Sequence, residues 1–476
     1  MDLILKPERV FYYFEEISKI PRESSKEKQI SDYLVAFGKI NNLETYQDEK
    51  NNVILRKKPF KGYENHKGVI LQGHMDMVCE KTEESSHDFE KDPIELKVEG
   101  NYLKAKDTTL GGDNGIALAM ALAILEDKSL HHGPLEFLAT TSEETDLGGA
   151  LFLKEGILKG SLLINLDSED EGVITVGSAG GIEIDISLPI KKEPLIAGKN
   201  YKVKVLNLLG GHSGIEIDKN RGNANKILGE FLEILKEKTL IKLINISGGS
   251  KDNAIPVSSE AIIYSEENID EKIKEVVSEI KERYAKIEST LEIMSEIIET
   301  KFSESFSEKS FLRYLKVIKK IPTGVYTWMK EYKDVVESSD NLAIVKTEKL
   351  DVKIIVSLRS SDRGILEELK NKIFVILEEN NANYDLSNGY PEWKFKKESY
   401  LREVALKVYK EMYKKDMKVE VIHAGLECGA ISQKYPNIDF ISIGPNMKNV
   451  HTTRECLDIL STERVYNYLV ELLKEL

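Results

Sequence analysis

Five short stretches of this chain carry side chains that bind cations or move protons. They are LQGHMDMVCE (71–80), TLGGDNGIALAM (109–120), TSEET (141–145), INLDSED (164–170) and IGPNMKNVHTT (443–453). In the first, His74 and Asp76 stand two residues apart at the exit of an apolar run, so in extended backbone they point the same way. That geometry suits a metal ligand with a carboxylate to orient it, and equally a solvated strand end. Asp113 lies in a glycine loop opening a helix, where it or Asn114 also serves as an N-cap. Glu143 and Glu144 are adjacent acids, Asp167 opens an acidic run, and His451 sits in a loop. Together these types match the ligands zinc takes, and a bridging carboxylate permits two ions roughly 3.5 Å apart. Such a pair activates water and polarises a carbonyl. One further carboxylate must then take a proton from water and pass it to a leaving amine, so Glu143 and Glu144 are able to divide the duties of base and ligand.

The elements that must position these residues follow from pattern. Between 68 and 166, short apolar runs (69–72, 134–140, 162–166) alternate with helical segments at 116–125 and near Ala150. This predicts parallel strands with right-handed crossovers and both sheet faces covered, a doubly wound α/β core. Ligands in such folds bind beyond the carboxyl ends of the strands, and His74, Glu143, Glu144, Asp167 and His451 each follow one of those ends. From about Ile184 the texture changes to alternating strands (IEIDISL, YKVKVLNL), lysine-rich helices around 271–289 and 309–320, a strand pair at 341–358 and an amphipathic helix at about 363–379. A helix at 400–414, strands near 418–422 and 438–443 and a helix at 462–475 then return to the first sheet. The expected fold class is α/β: a doubly wound, mostly parallel sheet forming a discontinuous first domain (1–183 and 394–476), with an inserted α+β domain at 184–393.

Composition narrows the function. At 476 residues, 41% hydrophobic and 31% charged, the chain reads as a soluble two-domain protein. The net charge of -14, without a long basic run, argues against nucleic acid or an anionic membrane as partner. Cys79, Cys428 and Cys456 are widely spaced and odd in number, as expected of reduced thiols in the cytoplasm. The start, MDLILKPERVFYYFEEISKIPRES, reads as a helix rather than a signal peptide, and no apolar run approaches 18 residues.

In order along the chain, GHMDMV, GGDNGIALAMALAIL, SEETDLGG, INLDSE and NVHTT resemble the M20 family of dinuclear metallopeptidases, above all its aminoacyl-histidine dipeptidase branch. GSAGG, GGHSG, DNAIP, GYPEW and HAGLECG extend the likeness over nearly the full length. The resemblance would make the first domain a catalytic domain and the inserted domain its lid, and it implies two zinc ions per subunit, with cobalt or manganese as substitutes. One would be held by His74, Asp113 and Asp167, the other by Asp113, Glu144 and His451, with Asp113 as the bridge. It further implies Asp76 as the orienter of His74, Glu143 as general base, and His212 of the lid as a stabiliser of the oxyanion. Asn253 and Arg359 would meet the substrate, Arg359 through its C-terminal carboxylate, and Glu427 or His423 would shape the leaving-group pocket. The implied activity is hydrolysis of unblocked small peptides, Xaa-His dipeptides above all. A lid of this length is able to supply its own histidine, so monomer and homodimer are both compatible. A family amidohydrolase acting on N-acyl substrates and a metal-binding scaffold without catalysis are the alternatives. The long lid and HAGLECG favour the dipeptidase, and the intact Glu143 favours an enzyme.

Overall fold

The computed structural model describes residues 5–330 and 332–476. The chain packs as two units: one of the described residues up to Ser178 with Trp393–Ile422 and Leu426–Leu476, the other of Ala179–Glu392 with His423–Gly425.

Among the described residues, the first unit is built on an eight-stranded sheet. Its order is Glu44–Gln47, Val53–Lys57, Leu135–Thr140, Val69–His74, Leu162–Asn165, Asp439–Ser442, Val173–Ser178, Lys418–Ile422. Val69–His74 is parallel to both neighbours, as are Leu162–Asn165 to Asp439–Ser442 and Lys418–Ile422 to Val173–Ser178. The first two strands and the Asp439–Ser442 contact with Val173–Ser178 are antiparallel, so the sheet is mixed but mostly parallel, as its central apolar runs require. The opening hairpin is an addition to the sequence reading. It turns on Asp48, whose Oδ1 accepts the N–H groups of Lys50 and Asn52 at 2.8 and 2.9 Å.

Helix Gly112–Glu126 is apolar on every side, and a helix of that kind is stable only when buried. It packs against helix Glu8–Ser18 and strand Val69–His74. The expected N-terminal helix is therefore present from Glu8, and residues 1–4 of that reading lie outside the described residues. At the carboxyl ends, buried polar side chains link four strands. Asn165 Nδ2 donates to Gln72 Oε1 at 2.6 Å, Ser442 Oγ donates to Asn165 Oδ1, and Gln72 Nε2 reaches Thr140 Oγ1 at 3.2 Å. Each bond satisfies a group that would otherwise be stranded in the core, and together they hold the four ends in register.

Among the described residues, the second unit carries a nine-stranded antiparallel sheet with helices Ala224–Lys238, Asp270–Tyr284, Glu308–Lys320 and Arg363–Glu379. Its strands alternate as expected of a sheet with one solvated face: in Lys199–Leu206, Tyr201, Val203 and Val205 are buried while Lys202 pairs with Glu260 at 3.0 Å. Gly180–Pro189 lies between Asp351–Ser360 and Asn383–Tyr390.

Candidate metal centre

The glycine loop before Gly112–Glu126 is held from below by a carboxylate. Glu455 accepts the backbone N–H groups of Leu110, Gly111, Gly112 and Asp113 at 2.8–3.3 Å. Gly111 adopts the left-handed conformation (φ 67°) that turns the chain into the helix. Buried Arg22 donates to the carbonyls of Met75 and Asp76, both at 3.0 Å, and to that of Gly111, tying the two ligand-bearing loops together. The helix is capped at Gly111, and neither Asp113 nor Asn114 acts as a side-chain N-cap. Both sit in non-helical backbone, joined by a cis peptide bond. Asn114 instead bridges strand ends, donating to Leu166 O at 2.9 Å and accepting from His74 N–H at 3.3 Å. Gly73 makes room for this: a Cβ there would stand 2.4 Å from Asn114 Oδ1 and 2.6 Å from Ala117 Cβ.

Six of the predicted side chains converge above this frame. The two oxygens of Asp113 face different imidazoles: Oδ1 lies 2.9 Å from His74 Nε2 and Oδ2 lies 3.2 Å from His451 Nε2. Glu144 Oε2 is 2.9 Å from His451 Nε2, and Asp167 Oδ1 is 3.4 Å from His74 Nε2. Glu143 Oε2 stands off at 4.0 Å from His74. His451 is the exposed member at 47%, whereas His74 is buried.

Asp76 does more than the sequence suggests. Its backbone oxygen and Oδ1 lie 3.2 and 3.4 Å from His74 Nδ1. The carboxylate also accepts Glu143 N–H at 3.0 Å, Glu144 N–H at 3.1 Å and Ser24 Oγ at 2.8 Å. It therefore anchors both acids as well as facing the imidazole. Glu427 has a structural role that the sequence does not suggest. It is fully buried, with Oε2 accepting from Gln72 Nε2 at 2.6 Å and Thr140 Oγ1 at 2.7 Å, so that oxygen braces strand ends from within, while Oε1 has no hydrogen-bond partner among the described residues. Glu455, Arg22 and Asn114 escape sequence reading because they grip mainly backbone, and no ligand spacing marks them.

The electrostatics of this cluster call for a cation. Burial alone would raise Asp113, yet hydrogen bonds from His451 and His74 hold it well below the carboxylate range. Burial pushes Asp167 up to about 7, opposed by His74 and reinforced by Asp113 and Glu144. Burial raises Glu143 well above its ordinary value against the pull of His74, with Asp167, Glu427 and Glu144 adding to the rise. Hydrogen bonds to Asp113 and Glu144 lift His451 to about 11. Positive charge brought in beside Asp167 and Glu143 would favour the ionised forms that burial disfavours. Two further observations fit a metal. One ligand atom each from His74, Asp113 and Glu144 lies within 4.8 Å of the others, and buried Asp167 Oδ1 has no hydrogen-bond partner among the described residues.

The predicted lid residues lie in the second unit. Gly211–His212 pairs with Ala254–Ile255, and Ser213 N–H donates to Asn253 O at 2.8 Å, which brings His212 beside exposed Asn253. His212 Nδ1 accepts the N–H groups of Gly214 and Ile215 at 3.0 and 3.2 Å. Burial and the Arg359 charge lower its pKa, so the imidazole is neutral with its proton on Nε2. Arg359 is buried on Asp351–Ser360, and His423 Nε2 lies 2.7 Å from Ser339 Oγ.

Residues 70–475 match the sequence model of peptidase family M20/M25/M40. The chain belongs to this family. The expectation drawn from the ordered motifs therefore holds, and this M20 peptidase is a hydrolase. It is 35% identical over 481 residues to the cytosol non-specific dipeptidase of Escherichia coli, covering 99% of this chain and 98% of that protein. Its structure matches the crystal structure of aminoacylhistidine dipeptidase from Vibrio alginolyticus with a TM-score of 0.91 at 34% identity, covering 99% and 97% of the two chains. Aminopeptidase PepT from Bacillus cereus, at TM-score 0.58 and 15% identity over 99% of each chain, shares the fold. The three cysteines are free, and no helix among the described residues is long and apolar enough to cross a membrane.

Proposed function

We propose that this peptidase hydrolyses unblocked dipeptides, Xaa-His among them, at a dinuclear metal centre. The observation that carries the proposal is the Asp113 carboxylate, whose two oxygens face His74 on one side and His451 on the other. His74, Asp113 and Asp167 would hold one ion, and Asp113, Glu144 and His451 the other. When bound, two divalent cations, zinc or else cobalt or manganese, supply the Lewis acidity that acidifies water and polarises a peptide carbonyl.

The rest of the chemistry falls to the chain. Glu143 is suspended by its N–H from Asp76 and stands back from His74, which suits a base rather than a ligand. It takes the proton of the attacking water and delivers it to the departing amine. The negative charge that develops on the carbonyl oxygen needs a neutral donor, and His212 offers its Nε2–H. Arg359 receives the terminal carboxylate, for which a guanidinium presents two parallel N–H groups. Asn253, exposed beside His212, contributes a further polar contact to the substrate. The names of the Escherichia coli and Vibrio alginolyticus relatives support the substrate class, and the free thiols agree with a cytosolic setting.

The test is a panel of free dipeptides, Xaa-His against others, beside N-acylated amino acids, assayed on metal-stripped protein with and without added zinc, cobalt or manganese. Metal-dependent cleavage of the free dipeptides is expected. Turnover of the N-acyl compounds in their place, or activity indifferent to metal, overturns the proposal.

A further inference from the structure

Three motifs that the metal chemistry leaves unused, GSAGG (177–181), GYPEW (389–393) and HAGLECG (423–429), meet at one aromatic ring. In the antiparallel sheet of the second unit, Gly181 is directly opposed by Arg359 on one side and by Tyr390 on the other. Directly opposed residues place their side chains on the same face. Gly181 has none, so the Tyr390 ring lies over it. A Cβ at Gly181 would stand 2.5 Å from Tyr390 Cζ and OH, and one at Gly425 would stand 2.8 Å from Cε2. The ring thus rests against two glycines, each required by its bulk.

Across the gap the Tyr390 hydroxyl accepts from Arg359 Nη1 at 2.6 Å, with the guanidinium carbon 5.9 Å from the ring centroid. Arg359 is only 8% exposed, and its Nε has no hydrogen-bond partner among the described residues. A buried, unsatisfied donor of a cation is expensive unless a ligand completes it. With Nη1 taken, the edge left for that ligand is Nε with Nη2, the side-on face that accepts both oxygens of one carboxylate.

We infer that Tyr390 is a positioning residue: by engaging Nη1 it turns the Nε–Nη2 edge of Arg359 toward the terminal carboxylate of the substrate and so selects free dipeptides over capped ones. This rests on the proposed role of Arg359 and deepens it. The nearby imidazoles of His212 and His423, both lowered by burial and by the Arg359 charge, remain neutral and leave the guanidinium as the cation that the carboxylate meets.

The test compares a free dipeptide with its C-terminal amide. Tyr390→Phe keeps the ring over Gly181 and Gly425 and removes the hydroxyl. It should raise KM for the free dipeptide about tenfold with kcat nearly unchanged, and leave kcat/KM for the amide as in the parent. Gly181→Ala, which drives the ring away while keeping the hydroxyl, should produce the same split, and it decides the matter if Tyr390→Phe does not fold by circular dichroism. Equal impairment of both substrates by whichever variant folds would mark Tyr390 as structural and overturn the inference. Arg359→Ala separates the two levels. If it abolishes the preference for the free carboxylate while Tyr390→Phe does not, the inference falls and the Arg359 role stands. If Arg359→Ala leaves the preference intact, the role of Arg359 falls and the inference with it.

Discussion

Glu143 owes its place to a neighbour's carboxylate, since Asp76 accepts its N–H and that of Glu144 at 3.0 and 3.1 Å. Glu143→Gln preserves shape and the backbone anchor but cannot take a proton. We expect kcat to fall by roughly 10²–10⁴-fold while metal content by elemental analysis stays at the parent level; retained turnover would reject the base assignment. His423 gives a prediction about acid. Burial, then Arg359 and His212, push its pKa down to about 3, whereas a histidine in the unfolded chain protonates near ~6.5. Between those values the unfolded chain takes up a proton that the native state refuses. Stability is therefore complete above the upper value and is lost as pH falls toward the lower, by up to about 1.4 kcal/mol per pH unit from this group. Denaturant titrations near neutrality and at about pH 4.5 should show a smaller loss in His423→Gln than in the parent; an unchanged loss would refute it. At this scale the proposed ligand types were legible because imidazoles and carboxylates are few in kind and all but Asp113, which stands in the glycine loop before a helix, follow a strand end. The supports were not. Glu455 and Arg22 act on backbone N–H and C=O groups, which leave no signature in side-chain spacing, and the burial of Glu427 is invisible in HAGLECG alone.

Among the elements, the parallel strands were readable because they are short, apolar and punctuated by glycine and proline. The runs expected at 134–140 and 162–166 appear as Leu135–Thr140 and Leu162–Asn165. The helix expected at 116–125 appears within Gly112–Glu126, and because Asp113 and Asn114 have non-helical backbone its regular turns start after Asn114, close to the expected place. The hairpin at Glu44–Gln47 and Val53–Lys57 went unread, since Glu44–Gln47 is polar and half-exposed and Val53–Lys57 offers an apolar run of only three residues. The contact between helix and strand at Gly73 is a stringent one. Gly73→Ala would thrust a methyl into Asn114 and Ala117, for which overpacking costs about 1–3 kcal/mol. Lower melting temperature and weaker metal retention are expected together, because Asn114 adjoins Asp113 in the chain and accepts from His74 N–H. A variant that melts like the parent would show that the helix can back away freely.

For the whole molecule, the proposed ligands run from His74 to His451, so any ion they share cross-links distant parts of the chain. Binding to the native state alone adds stability by mass action, about 2.7 kcal/mol when free metal exceeds Kd a hundredfold. Scanning calorimetry after chelation and after refilling with zinc should therefore show a melting point that moves with metal concentration, and coincident melts would contradict a metal site in this protein. The change of texture near Ile184, to alternating strands followed by lysine-rich helices, falls a few residues after the division at Ser178 and Ala179, and the inclusion of His423–Gly425 in the second unit has no signal in that texture.

The strand order carries one more consequence, for synthesis. Asp439–Ser442 inserts between Leu162–Asn165 and Val173–Ser178. While the ribosome makes everything between, the apolar Leu162–Asn165 strand has an unfilled flank, at ~5–20 residues per second for tens of seconds. An open edge of that kind is prone to pair with other nascent chains, so this protein should emerge as a client of co-translational chaperones and acquire its hydrolytic capacity only after release.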